Sequence, residues 1–158
     1  MASSCKRLVR LGRGPVGTGE VRGVEDQRHL PIPEDGRGGH AGDGSTMRAS
    51  CRAAAARGVA ITAHVAYPDL QGFGRRHLSC SPEEVSALVL YQLGALDAFC
   101  RTAGVEMAYV KPHGALYNDL VRDDELLAAV LRACARYRAG LPLMVLALAD
   151  NDRERRLA

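Results

Sequence analysis

Two short stretches carry most of the reactive side chains in this sequence. HVAYPDLQGFGRRH, residues 64–77, holds His64, Asp69, Arg75 and Arg76; KPHGALYND, residues 111–119, holds Lys111, His113, Tyr117 and Asn118. Imidazole titrates near neutral pH, so His64 and His113 are candidates to move a proton to or from a reacting group. Lys111 places positive charge where an oxyanion or a phosphoryl group would develop. Arg75 and Arg76 offer the planar fork that grips a carboxylate at two points. Asp43 and Asp69 can orient a histidine or hold a cation. Each role has a plainer competitor. His29 and His77 read as ordinary polar residues, and one of the two arginines reads as solvated. Asp69 follows Pro68 in a turn-like PDLQG, and Tyr117 and Asn118 can equally pack and cap.

The elements that must position these groups are readable from hydrophobic periodicity and caps. From residue 45 onward, Ser45 or Thr46 is the expected cap of a helix running to Gly58, followed by a strand from Val59 to Ala63. Ser81, Pro82 and Glu84 form a capping box with proline at the first helical position, opening a helix that ends near Gly104. A strand at Met107 to Val110, a helix from about Asp124 to Arg138 with Gly140 as its stop, and a strand in LPLMVLAL complete the series. Such αβαβαβ alternation predicts parallel strands joined by crossover helices. Loops at the carboxyl ends of parallel strands open on one face, so the two reactive stretches should meet there. Alternation along an extended chain turns Lys111 and His113 one way and Pro112 the other. Pro112 also holds Lys111 out of the helical region. Gly114 permits close backbone approach, and a helix begun by ALYND would turn its first amides toward an anion.

Composition narrows the function classes. A formal charge of +3 spread over 158 residues, with acids interspersed among the arginines and no Trp, gives no nucleic-acid stripe or base-stacking surface. No apolar run approaches the roughly 20 residues of a spanning helix, and MASSCKRLVRLGRG lacks the apolar centre of a signal peptide. Cys5, Cys51, Cys80, Cys100 and Cys134 form no CxxC pair and read as reduced thiols of a cytoplasmic protein. Residues 1–39 are rich in glycine, proline and charge without apolar periodicity, and are expected to be an aberrant or disordered lead.

HAGDGSTMR, AHVAYPDLQGFGRRHLS, ALVLYQLGALDAFC and YVKPHGALYN, in this order between about residue 40 and residue 149, resemble the LamB/YcsF family. Its members include the A subunit of bacterial ATP-dependent 5-oxoprolinase. The resemblance implies an incomplete (β/α) barrel of the glycoside hydrolase/deacetylase type over residues 40–158, truncated at its carboxyl end, because a whole barrel takes about 250 residues. Gly39 and Gly44 depart from the family pattern around His40 to Asp43, and no acidic motif precedes them, so a misread frame is expected upstream. An incomplete barrel leaves strand edges and apolar faces uncovered, which predicts poor solubility. The implied reaction takes 5-oxoproline, ATP and water to glutamate, ADP and phosphate, with companion subunits B and C. Opening a lactam needs a nucleophilic water, a stabilised oxyanion and a proton for the leaving nitrogen. His64, Lys111, His113 and Asp43 are the expected catalytic residues, with His40, Asp69, Arg75, Arg76, Tyr117 and Asn118 around the substrate, ATP as co-substrate and no residue assigned to a metal. Fold kinship offers a metal-dependent carbohydrate deacetylase with His40, Asp43, His64 and His113 as ligands. A non-catalytic fragment that keeps only an interaction surface is the third reading.

Overall fold

The computed structural model describes residues 6–10, 20–23, 43–146 and 156–157. Strands β1 (Lys6–Arg10) and β2 (Glu20–Gly23) precede helix α1 (Gly44–Arg57), β3 (Ile61–Ala63), α2 (Pro82–Ala103) and β4 (Met107–Val110). Helices α3 (Gly114–Arg122) and α4 (Asp124–Tyr137) and strand β5 (Leu143–Leu146) follow.

Local chemistry explains most of these boundaries. Ser81 accepts from the Glu84 amide while the Glu84 carboxylate accepts from the Ser81 amide, so α2 starts on a complete capping box with Pro82 behind it. Such a cap contributes ~1 kcal/mol. Gly104 closes the helix at φ 68°, a left-handed value that costs glycine little. Helix α1 differs from expectation: its cap is Asp43, which accepts from the Thr46 amide at 2.8 Å, rather than Ser45 or Thr46. The strand after it is shorter than expected because the Val59 amide still bonds to Ala54 O, as part of the helix ending. ALYND is helical, and Asp123 alone separates α3 from α4, ending one helix and capping the next through the Leu126 amide.

The sheet order is β2-β1-β5-β4-β3. Strands β3, β4 and β5 are parallel and adjacent in chain order, with a register irregularity between Ile61 and Thr62. One core cluster joins Ile61, Ala63, Met107, Val110, Leu143 and Val145 of the strands to buried residues of all four helices. The helices therefore cover one face of the sheet, the winding of a β/α barrel; a doubly wound sheet carries them on both. Val85, Val89, Leu93 and Leu96 recur at helical spacing along the buried side of α2. Truncating Leu93 or Leu96 to alanine would cost ~2–5 kcal/mol. On the opposite face, Tyr109 and Met144 form a separate small cluster with Ala108.

The expected parallel strands with crossover helices are β3, β4 and β5, and the sheet also takes in β1, which runs antiparallel to both β2 and β5. Within the lead, residues 6–10 and 20–23 form strands, and β1 covers the edge of β5. At the other edge lies β3, three residues long, which leaves little ladder for foreign strands. Among the described residues no helix is long and apolar enough to cross a membrane. Cys51, Cys80, Cys100 and Cys134 are free thiols, and burial pushes Cys100 up to about 12.

Candidate functional site

Parallel pairing carries β3 and β4 past their regular ends and brings the two reactive loops side by side. The Lys111 amide donates to Ala63 O and the His113 amide to Val65 O, each at 2.8 Å. His64 and His113, on the non-helical face, consequently approach with His64 Nε2 2.8 Å from His113 Nδ1 and the rings edge to face at 4.7 Å. They line an open cleft of about 170 Å³ together with Lys111, Pro112, Gly114, Tyr117 and Met144. The Tyr117 hydroxyl is buried without a hydrogen-bond partner among the described residues, and burial raises its pKa.

The loop after β3 is built to stand against this cleft. Gln92, buried on α2, accepts from the Ala66 amide at 3.0 Å and donates to the Ala66 carbonyl at 2.9 Å, satisfying a strand exit that has no neighbouring strand. Asp69 accepts from the Gly72 amide and from Arg76, with a side chain only 2% exposed. The Arg76 guanidinium holds the Asp69 carboxyl down at about 2. Beyond this staple the chain turns through Phe73 at φ 54° and Gly74 at φ 66°. The Gly74 carbonyl accepts from the Ala115 amide at 2.9 Å, and the Phe73 carbonyl lies 2.8 Å from His113 Nε2. A side chain at Gly114 would put its Cβ 2.2 Å from Gly74 O, so glycine there is what allows the two loops to touch.

The structure thus gathers His64, Lys111, His113 and Tyr117, while Asp43, Asp69, Arg75, Arg76 and Asn118 do not line the cleft. Asp43 is spent on capping α1, where the Thr46 amide lowers its pKa, and it does not line the cleft. Asp69 and Arg76 pair with each other inside the loop, so the turn-forming reading describes Asp69 better than substrate contact. Arg75 is exposed, with its guanidinium 5.6 Å above the Phe73 ring. Asn118 is exposed on α3, away from the lining residues. His40 lies outside the described residues. Among the described residues no three His, Cys, Asp or Glu converge as a metal site would need. The two ring nitrogens of His113 lie 2.8 Å from His64 Nε2 and 2.8 Å from the Phe73 carbonyl.

Sequence reasoning missed a second constellation. Tyr67, 1% exposed, donates its hydroxyl to Asp119 at 2.8 Å, and His77 bonds the same carboxylate oxygen at 2.8 Å. Burial first, then Asp119, pushes the Tyr67 hydroxyl up from its usual range. Only the apolar-to-polar position of Tyr67 just after a strand hinted at it.

Helices on one face of consecutive parallel strands define a β/α-barrel type of protein, and a histidine pair and a lysine stand at the strands' carboxyl ends. The chain belongs to the LamB/YcsF family, whose model matches residues 36–155. It is 64% identical over 143 residues to a Pseudomonas aeruginosa protein that bears the name of a 5-oxoprolinase A subunit, covering 89% of this chain and 57% of that protein. That match necessarily reaches ahead of residue 40. The corresponding 5-oxoprolinase A subunit of Chromohalobacter salexigens is 54% identical over 121 residues, covering 77% of this chain and 48% of its own length. The crystal structure of a lactam utilization protein from Thermus thermophilus superposes with a TM-score of 0.69 at 45% identity, over 76% of this chain and 48% of that one. The chain thus spans about half the length of the curated relatives it matches.

Proposed function

We propose that this chain acts as the A-subunit portion of an ATP-dependent 5-oxoprolinase, opening the lactam ring of 5-oxo-L-proline to give L-glutamate. The observation that carries the reading is the 2.8 Å contact between His64 and His113 beside Lys111, in a chain whose relatives bear that name. The histidine pair takes a proton from water as its oxygen bonds to the ring carbonyl carbon. The Lys111 ammonium faces the oxyanion that forms there. When the carbon–nitrogen bond breaks, the pair returns the proton to the leaving nitrogen. A cleft of about 170 Å³ suits a small ring. It lies below the ~300–1,000 Å³ of sites for larger ligands, so the ATP co-substrate is assigned to the assembly with subunits B and C rather than to this cleft. The free thiols support a cytoplasmic setting.

The test is reconstitution. The purified chain is mixed with B and C subunits, 5-oxoproline and ATP, and glutamate and phosphate are measured together. Matched release of both supports the proposal. A folded chain that binds the partners yet releases no glutamate replaces it with the reading of a non-catalytic fragment.

A further inference from the structure

The outward side of α2 has a composition that a helix facing only water does not call for. Glu84, Ala87, Tyr91, Gly94, Ala98 and Arg101 are all exposed and recur at intervals of three and four. They form one stripe on the side of the helix away from the buried Val85, Val89, Leu93 and Leu96. An outer helix face of this kind is ordinarily charged or polar. Here the four central positions carry no charge, and Tyr91 stands 74% exposed. One turn further on, a Cβ at Gly94 would meet nothing within 4 Å, so the helix surface there is an open notch. None of the six residues lines the cleft that holds Lys111.

This stripe is complementary to itself. If a second copy lays its α2 antiparallel on the first, with a two-fold axis at the level of residues 92 and 93, Tyr91 of each copy stands against Gly94 of the other. Ala87 then stands against Ala98, and Glu84 against Arg101. A two-fold contact requires this reciprocity, and both size and charge satisfy it. Helical side chains lean toward their own N-terminus, which carries each Tyr91 ring past Gly94 toward Ala98 of the second copy. The end charges are available for the pairing. Arg101 bonds Asp97 through Nε at 2.6 Å, and a guanidinium has further N–H donors on its outer nitrogens. Glu84 takes the Ser81 amide on Oε2 at 2.7 Å, and a carboxylate has a second oxygen. A parallel pair in register would set Glu84 against Glu84 and Arg101 against Arg101, so charge selects the antiparallel arrangement.

We infer that a second copy of this chain docks on the outer stripe of α2, the two helices lying antiparallel about a two-fold axis with Tyr91 of each packed on Gly94 of the other. A contact of one helix per copy falls in the class below ~1,200 Å², that of transient partners. The dimer therefore forms and dissociates with concentration. It lies outside the helix layer and stands apart from the proposed reaction.

Sedimentation of the whole chain over a concentration series tests this. A reversible rise from 16.9 kDa toward twice that mass is expected, and a mass that stays at the monomer value throughout overturns the inference. Gly94→Ala fills the notch without harming the fold, because its Cβ finds open space and alanine favours a helix over glycine. It should weaken the dimer roughly tenfold while the thermal midpoint does not fall. Tyr91→Asp should abolish the dimer and leave a folded monomer. A dimer indifferent to both substitutions is built elsewhere and overturns the assignment. Glu84→Arg and Arg101→Glu should each weaken association, and the chain carrying both should regain it; failure to regain it counts against the antiparallel stripe. A chain that stays monomeric, but loses binding to a B or C subunit on Tyr91→Asp, would hand the surface to that subunit instead.

Discussion

Two histidine clusters tie the same pair of chain segments together, and they do so for different ends. His113 bonds His64, another base, while a backbone carbonyl steers its far nitrogen. His77 bonds Asp119, a carboxylate that also receives the buried Tyr67 hydroxyl. Both contacts are 2.8 Å, so length alone cannot separate them. Surroundings do. The imidazole pair lines a cleft that also holds Lys111. Between His77 and Asp119 the partner's charge fastens the loop to α3, and the 66% exposed His77 side chain stays in water. Our proposal gives proton movement to the first cluster, whereas the second holds the loop down.

Substitutions can break this contrast, beginning with the largest expected effect. His64→Asn or His113→Asn should lower glutamate release in the reconstituted assembly by ~10²–10⁴-fold, the usual worth of general acid–base catalysis, while leaving the thermal midpoint nearly unchanged. Equal rates would dissolve the distinction. Tyr67→Phe acts on stability instead. It removes a hydrogen bond to a charged acceptor, worth ~1.5–3 kcal/mol, and lowers the midpoint by ~2–4 °C for each kcal/mol at this chain length. Release per folded molecule should hold steady.

The Asp69 staple adds a pH signature. Its carboxyl is lowered to about 2 in the folded chain, against ~4 when unfolded. The folded state therefore gains from Asp69 above pH ~4 and loses that gain as pH falls from ~4 to ~2. Denaturation midpoints measured across that window should fall less steeply for Asp69→Asn than for the natural chain. The smallest effect belongs to His77→Ala, since an exposed pair contributes ~0–1 kcal/mol. A loss of turnover on the scale of the His64 variant would move His77 into the catalytic machinery.

Legibility in the sequence followed the range of the interactions involved. The start of α2 was readable because Ser81, Pro82 and Glu84 settle it within one turn. The start of α1 was not, because DGST offers Asp43, Ser45 and Thr46 as eligible caps and local chemistry does not rank them. The structure ranks them: Asp43 takes the Thr46 amide at 2.8 Å and the helix begins at Gly44. Strands β1 and β2 were illegible for a related reason. Short strands with no sustained alternation become strands only when an edge such as that of β5 receives them. Lys111, His64 and His113 were expected together, and line one cleft, because their place at strand ends follows from the α/β alternation. Asp69 and Asp43 were over-read, since an isolated carboxylate carries no sign of whether an amide or a substrate will claim it.

By itself the sequence determined the alternation of helices and parallel strands, and hence that the loops of residues 64–77 and 111–113 open on a common side. Hydrogen-bond periodicity, caps and apolar spacing are encoded within a few residues, and they suffice for that. Tertiary structure alone decided which nitrogen faces which. His64 and His113 are 49 residues apart, and His113 and the Phe73 carbonyl are 40 apart. Their meeting depends on the β3–β4 register, including its irregularity after Ile61. A slip of one residue would turn His64 to the other face of the sheet, and no local pattern in the chain specifies that register.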